Sequence, residues 1–463
     1  MWRVALVVSA LALLGCKREQ SSPAAQSSSL ASKPRLEPEV RPELRAALDN
    51  LGASEKPRRE AALNWVKELA GKLTSDEVAA IIKAASAKLP EHVVIGAYDE
   101  DLIETVAKQL QQQHLPLLAR QYPELTPYGQ RAVIDALVHS QLQGVDHLAI
   151  DLLRRHGWMS ERAIPKFGDD CPLSEAMIAA FVDGSIRGFD DEKRHGLLLD
   201  CATSGKLSAR IKEQAQVPTV ARALTLLDSL EKRPRSAGVA WRAHEDYVGL
   251  RYEAEVLFDL LGHLGPSENS AGALRRGEVL PDPLLALWAA VSLVRLGEQP
   301  RSESLLAIAK DAESRNHLLE ELTKLEKKAL FPKSELTQPK LAESDMVGWL
   351  TFPTELGRMP DHIQLMKVVE RDTGPEGGVF VYYVFRFKLD PPDERAADGW
   401  LAGISGPFRK QEFPTPDSWG ETFSTFTAWN KFNAEEHLSS VQELLEEWRE
   451  HWRQQQADAG EKR

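Results

Sequence analysis

Ser405 stands in Gly403-Ile404-Ser405-Gly406-Pro407, a stretch that approaches the Gly-x-Ser-x-Gly of a nucleophile elbow. That elbow needs glycine on both sides of a strained strand-to-helix turn, and position 407 is proline, so the pattern fails. His244-Glu245 begins a metal-binding His-Glu-x-x-His helix, but Val248 occupies the place of the second histidine. Asp169-Asp170 and Asp190-Asp191 offer hard oxygens to a cation. Acidic pairs just ahead of a helix more commonly cap it. Glu253 and Glu255 fall on different faces of one helix and cannot work as an acid–base pair. His139, His147 and His263 are scattered, and no phosphate-cradling glycine loop opens a helix. No nucleophile, acid and base converge, so the sequence predicts no enzyme, no cofactor and no metal site.

The three cysteines are Cys16, Cys171 and Cys201. The nearest histidines, His156 and His195, lack metal-ligand spacing to them. A Cys171–Cys201 disulfide would close a loop of about 30 residues and stabilise the fold by roughly 3–4 kcal/mol. The alternative is two buried thiols on neighbouring helices.

Cys16 has a different context. After Met1-Trp2-Arg3, the run from Val4 to Leu14 is almost wholly apolar, which is the form of a secretory leader. It is shorter than the roughly 20 residues needed to span a bilayer. It ends Leu13-Leu14-Gly15-Cys16 and gives way to a Ser-, Ala- and Pro-rich tail. This ending resembles the lipobox of bacterial lipoproteins. The resemblance implies cleavage before Cys16, acylation of Cys16, and attachment to a membrane on its periplasmic side. Lys17, standing where an aspartate would retain such a protein in the inner membrane, implies the outer membrane. Several acyl chains give a stable anchor where one does not, and the polar tail reads as a tether.

The chain has 463 residues, with 57 Lys and Arg against 69 Asp and Glu, and a net charge of -12. That balance opposes a general nucleic-acid binder, which needs a positive field.

From residue 42 to 332 the hydrophobic period is helical. In "REAALNWVKELAGKL" Ala62, Trp65, Val66, Leu69 and Leu73 form one stripe, and "TSDEVAAIIKAASAKL" opens with capping residues and acids. Such short helices cannot bury an apolar face alone, and stacked pairs would share a continuous core. "LPDPLLALWAAVSLVRLGEQPRSESLLAIAKD" resembles a HEAT repeat: Asp282-Pro283 opens it, Ala289, Ala290 and Leu293 pack it, and Leu296-Gly297 ends its first helix. The resemblance implies an irregular HEAT-like helical array, an α-solenoid. The earlier helix pairs mostly lack these marks.

Beyond "FPKSELTQPKLAESDM" the texture changes. "HIQLMKVVE" and "VFVYYVFRFK" predict a β-hairpin around "DTGPEGG", and "GWLAGISGPF" a further strand. Apolar residues on both faces of "VFVYYVFRFK" predict a central strand covered on two sides. "NAEEHLSSVQELLEEWREHWRQQQ" predicts a helix capped by Asn433. Residues 346–430 resemble a tail found on uncharacterised bacterial HEAT-repeat proteins, a resemblance that implies no activity.

The predicted organisation is therefore mainly α, ending in a small α+β domain. A signal peptide covers 1–15 and a lipidated tether 16–41. The helical domain covers 42–332, a linker 333–345 and the α+β domain 346–463. Six of the 11 tryptophans follow residue 345. Trp419 and Trp429, in loop-like stretches, are the expected exposed contacts. Long curved helical surfaces bind proteins, so the expected function is an envelope scaffold or adaptor with an unidentified envelope protein as partner, anchored through lipid on Cys16. The alternatives are an envelope glycan or small-ligand module using the C-terminal aromatics, and a lipid-anchored immunity or inhibitor protein.

Overall fold

The computed structural model describes residues 40–87, 98–157, 171–233, 238–352, 355–372, 379–390, 398–410, 422–441 and 443. The protein is mostly helical, with a four-stranded antiparallel sheet near its C-terminus. It divides into two units, Met1–Asp200 and Cys201–Arg463. Among the described residues no helix is long and apolar enough to cross a membrane.

The first unit is built of α1 (Pro42–Asn50), α2 (Lys56–Lys67), α3 (Ser75–Ala85), α4 (Tyr98–Ala107), α5 (Leu115–Gln121), α6 (Pro127–Val138), α7 (Val145–His156) and α8 (Glu175–Val182), and α9 (Asp191–Thr203) carries the chain across the division. Local sequence starts these helices. Thr74 and Glu77 form a reciprocal cap on α3: Thr74 Oγ1 accepts from the Glu77 amide and Glu77 Oε2 accepts from the Thr74 amide. Arg41 adds an ion pair to the buried Glu77. The hydrogen bonds from Arg41, with those from the backbone, hold the Glu77 carboxyl down at about 2, against its burial. Asp99 of α4 is buried and accepts from the Thr126 amide at 2.7 Å and its hydroxyl at 2.9 Å, so one carboxylate joins α4 to the cap of α6.

In the second unit α10 (Ala209–Lys232), α11 (Glu245–Leu264), α12 (Glu268–Gly277) and α13 (Pro283–Arg295) share one core. The next core joins α13 to α14 (Ser302–Lys310), α15 (Arg315–Lys324) and the start of α16 (Gln338–Leu350). α13 lies between these cores. Leu285, Ala289 and Leu293 enter the first, and Leu287, Ala290 and Val291 the second. This is why "PLLALWAAVSLV" is apolar on every side rather than along one stripe.

The strands β1 (His362–Asp372), β2 (Val379–Lys388), β3 (Leu401–Arg409) and β4 (Thr422–Ala428) pair in chain order. β2 is internal, and its alternation feeds two cores. Val381, Tyr383, Phe385 and Phe387 pack with Ala342, Met346 and Leu350 of α16. Tyr382 and Val384 pack on the other face with Leu438 and Val441 of α17 (residues 434–441). Asn433 caps α17 by accepting from the amides of Glu435 and Glu436. α16 can approach β3 closely because residue 403 is glycine: a Cβ there would lie 2.6 Å from Met346 Sδ.

Two expectations are corrected. Residues 338–345, expected within a linker, belong to α16, where Leu341, Ala342, Met346, Val347 and Leu350 are buried. The polar residues between them misled: Pro339, Lys340 and Glu343 are half-buried, while Leu341 packs with the α13–α15 core and Ala342, Met346 and Leu350 pack with the sheet. The stretch around Trp429, expected to be loop-like from Phe426 onward, begins inside the edge strand β4, which runs Thr422–Ala428.

Candidate functional site

The second unit holds its helices together with arginines. Arg222 of α10 pairs with Glu253 of α11, and Arg295 of α13 pairs with both Asp259 of α11 and Glu321 of α15. Arg315 of α15 reaches Glu343 of α16 at 3.0 Å and caps the end of α14 through the carbonyls of Ala309 and Lys310. The densest group surrounds Arg251 of α11. Its two terminal nitrogens donate to Glu313 at 2.9 and 2.7 Å, a bidentate contact, and Nε lies 2.9 Å from Asp282. Asp282 also accepts from the Tyr247 hydroxyl at 2.7 Å and caps α13 through the Leu284 amide. Arg242 joins the group through Asp311 at 2.9 Å and Glu313 at 3.2 Å.

Burial opposes the charge on Arg251, but Glu313 and Asp282 outweigh it and raise the guanidinium above its ordinary value. Burial, with Asp282 beside it, drives the Tyr247 hydroxyl upward, so this phenol stays a donor. Every carboxylate here faces an arginine or a cap. The group therefore positions helices. Among the described residues no group of three or more His, Cys, Asp or Glu is placed to hold a metal ion.

The surface with free chemistry is on the sheet. β1 is an edge strand, and Leu365, Met366 and Val368 are 41, 41 and 45 % exposed. Leu365 pairs with Phe385 and Val368 with Tyr383, which puts both on the α16 face. A bulge between Leu365 and Lys367 breaks the ladder at Met366. Lys367 points to the other face and pairs with Glu435 of α17 at 2.6 Å. Among the described residues no strand pairs with the outer edge of β1, which lies beside apolar side chains.

The residues singled out by sequence are dispersed. Cys16 and Trp419 lie outside the described residues, as do Asp169 and Asp170. Cys171 and Cys201 are both buried and both disulfide-bonded. Trp429 is half-buried and packs beside α17: its ring stacks on His437 with centroids 5.2 Å apart, and its carbonyl lies 3.0 Å from His437 Nε2. Ser405 is fully buried within β3, opposite Tyr383. Asp190 and Asp191 bind Lys193 and Arg194 near the start of α9. Glu253 and Glu255 face Arg222 and Arg251 respectively.

Sequence reading passed over the Arg251 group and the β1 edge. Asp282 was visible as a helix opener, but Arg251 lies on α11 while Asp311 and Glu313 lie in the turn between α14 and α15, with no common spacing. The bulge hid the edge, because it interrupts the alternation that would have marked one face as outward. Comparison with known protein families, curated proteins and solved structures finds no match to this chain.

Proposed function

We propose that this chain is a membrane-anchored interaction scaffold of the cell envelope. In this reading Cys16 carries the lipid, the helices form a HEAT-like array, and an extended segment of an envelope protein adds to β1 as a fifth strand. The observation that carries the reading is the β1 edge, where Leu365, Met366 and Val368 are exposed beside backbone that no described strand pairs with. Strand addition takes its affinity from main-chain hydrogen bonds and its selectivity from alternate side chains. A second copy of β1 is a poor occupant, since two bulges would have to fit one ladder. The arginine-locked helices support the same reading, because a scaffold must hold its surfaces in fixed positions.

The test is crosslinking in intact cells with the wild-type chain and with a Leu365→Lys/Val368→Lys variant. Both positions are exposed, so the variant should keep its stability within about 0.5 kcal/mol. The expected result is one envelope protein recovered with the wild type and reduced at least about tenfold with the variant, a loss of about 1.4 kcal/mol. Equal recovery with both chains, or no specific protein with either, overturns the reading.

A further inference from the structure

The face of the sheet that carries α17 ends in a row of cationic and aromatic side chains. His362 of β1 pairs with Lys388 of β2. Phe387 pairs with Leu401, so Trp400, one residue earlier, extends the row beyond Lys388. Arg386 lies two residues back on the same face of β2, with Gln364 opposite it. The Arg386 guanidinium sits 4.3 Å from the centroid of the Trp400 ring, and Lys388 Nζ sits 5.2 Å from it. His362 is 6.5 Å from the same ring.

These two cations differ from their neighbours. Lys367 and Lys410 each have a carboxylate at 2.6 Å, in Glu435 and Glu370. Arg386 and Lys388 have none among the described residues. Arg386 turns Nε and Nη2 toward the one Gln364 Oε1, at 2.9 and 2.6 Å, which leaves Nη1 for another acceptor. Two half-buried positive charges with no carboxylate partner among the described residues stand out in a chain of net charge -12. The indole ring attracts both and fixes the guanidinium before anything binds. Such pre-ordering lowers the side-chain entropy lost on binding.

We propose that Arg386, Lys388 and Trp400 form a binding site for a phosphoryl group, carried by a free phosphorylated ligand or by a lipid headgroup. A phosphate monoester matches the two charges. Arginine meets its oxygens with a planar fork and lysine with a point charge. Trp400 is a positioning residue that holds the fork, and the His362 imidazole lies within the same row as a further donor. This site is separate from the β1 edge, since it lies on the opposite face of the sheet from Leu365 and Val368 and rests on different residues.

The experiment is calorimetric titration of the full chain at constant ionic strength, first with inorganic phosphate and then with a short-chain phosphatidic acid. The variants are Arg386→Gln and Lys388→Gln, with Lys410→Gln as the control. Saturable binding that weakens about tenfold in each of the first two variants, and is unchanged in the control, is the expected result. Phosphatidic acid binding at least about tenfold tighter than phosphate assigns a lipid headgroup, and equal or weaker binding assigns a free ligand. If Arg386→Gln disturbs the sheet, as circular dichroism would show, Lys388→Gln decides alone. No saturable binding of either probe, or the same affinity in the wild type and Lys388→Gln, overturns the proposal.

Discussion

Replacing Arg251 by alanine should destabilise the second unit by about 3–5 kcal/mol, because it leaves the buried Asp282 without its paired cation and Glu313 with Arg242 alone. Glu313 would lose both bidentate bonds and Asp282 its nearest charge, while Tyr247 and the Leu284 amide would be the remaining donors to Asp282. The two side chains are about one-tenth exposed or less, so water can do little to replace the arginine. Denaturant unfolding of the full chain, followed by the near-ultraviolet dichroism of its aromatics, measures the change. A second variant separates the value of the pair from the penalty of breaking it. Arg251→Met together with Glu313→Leu should recover much of the loss, because a buried ion pair exchanged for packed apolar groups is often neutral. A loss under about 1 kcal/mol for Arg251→Ala would mean that solvent enters the group and that its arginines do not fix the helices.

Asp345 should make stability depend on pH in the direction opposite to most carboxylates. It sits on α16 against Asn316 of α15, whose side-chain amide donates to Asp345 Oδ1 at 3.0 Å. Asp345 Oδ2 and Asn316 Oδ1 are both buried without a partner. Burial pushes the carboxyl up to about 7, and the Asn316 hydrogen bond opposes it only in part. A proton on Asp345 turns a stranded acceptor into a donor, and the folded state keeps that proton while the unfolded chain releases it near pH 4. The raised value means that the stabilisation is fully present below about pH 4 and is lost as pH rises through about 7. The change across that window is about 3 kcal/mol, after allowance for the partial solvent access of this side chain. Asp345→Asn should match the wild type near pH 4 and exceed it at pH 8, with a flatter profile between. Parallel profiles for the two proteins would place the titration elsewhere.

Much of this architecture was legible in the chain. The double-sided apolar pattern of "VFVYYVFRFK" reports an internal strand, and the structure covers it with α16 on one face and α17 on the other. Asn433, followed by acids, marked the start of α17, and a capping residue at 74 or 75 with acids after it that of α3, where the cap is Thr74. Local signals of this kind survive because they act within one turn of helix or along one strand. The longer-range features did not show. The Arg251 group assembles from residues between 242 and 313, and no periodicity links them. α16 was missed because its burial is shared between the α13–α15 core and a sheet that sequence could not place next to it. Arg386 and Lys388 carry no signal in the strand pattern, and Trp400 acquires meaning only once the register sets it beside them.

The bulge at Met366 also bears on promiscuity. Leu365 and Val368 already face α16, and Lys367 and Val369 already face α17, so a chain lacking Met366 would keep every facing and merely regularise the ladder. What it would lose is discrimination: an uninterrupted, partly apolar edge accepts almost any extended chain. The single extra residue acts as a keyway cut across the strand. Its removal should leave the folded protein intact and make it sticky, so that solubility would fail before stability did.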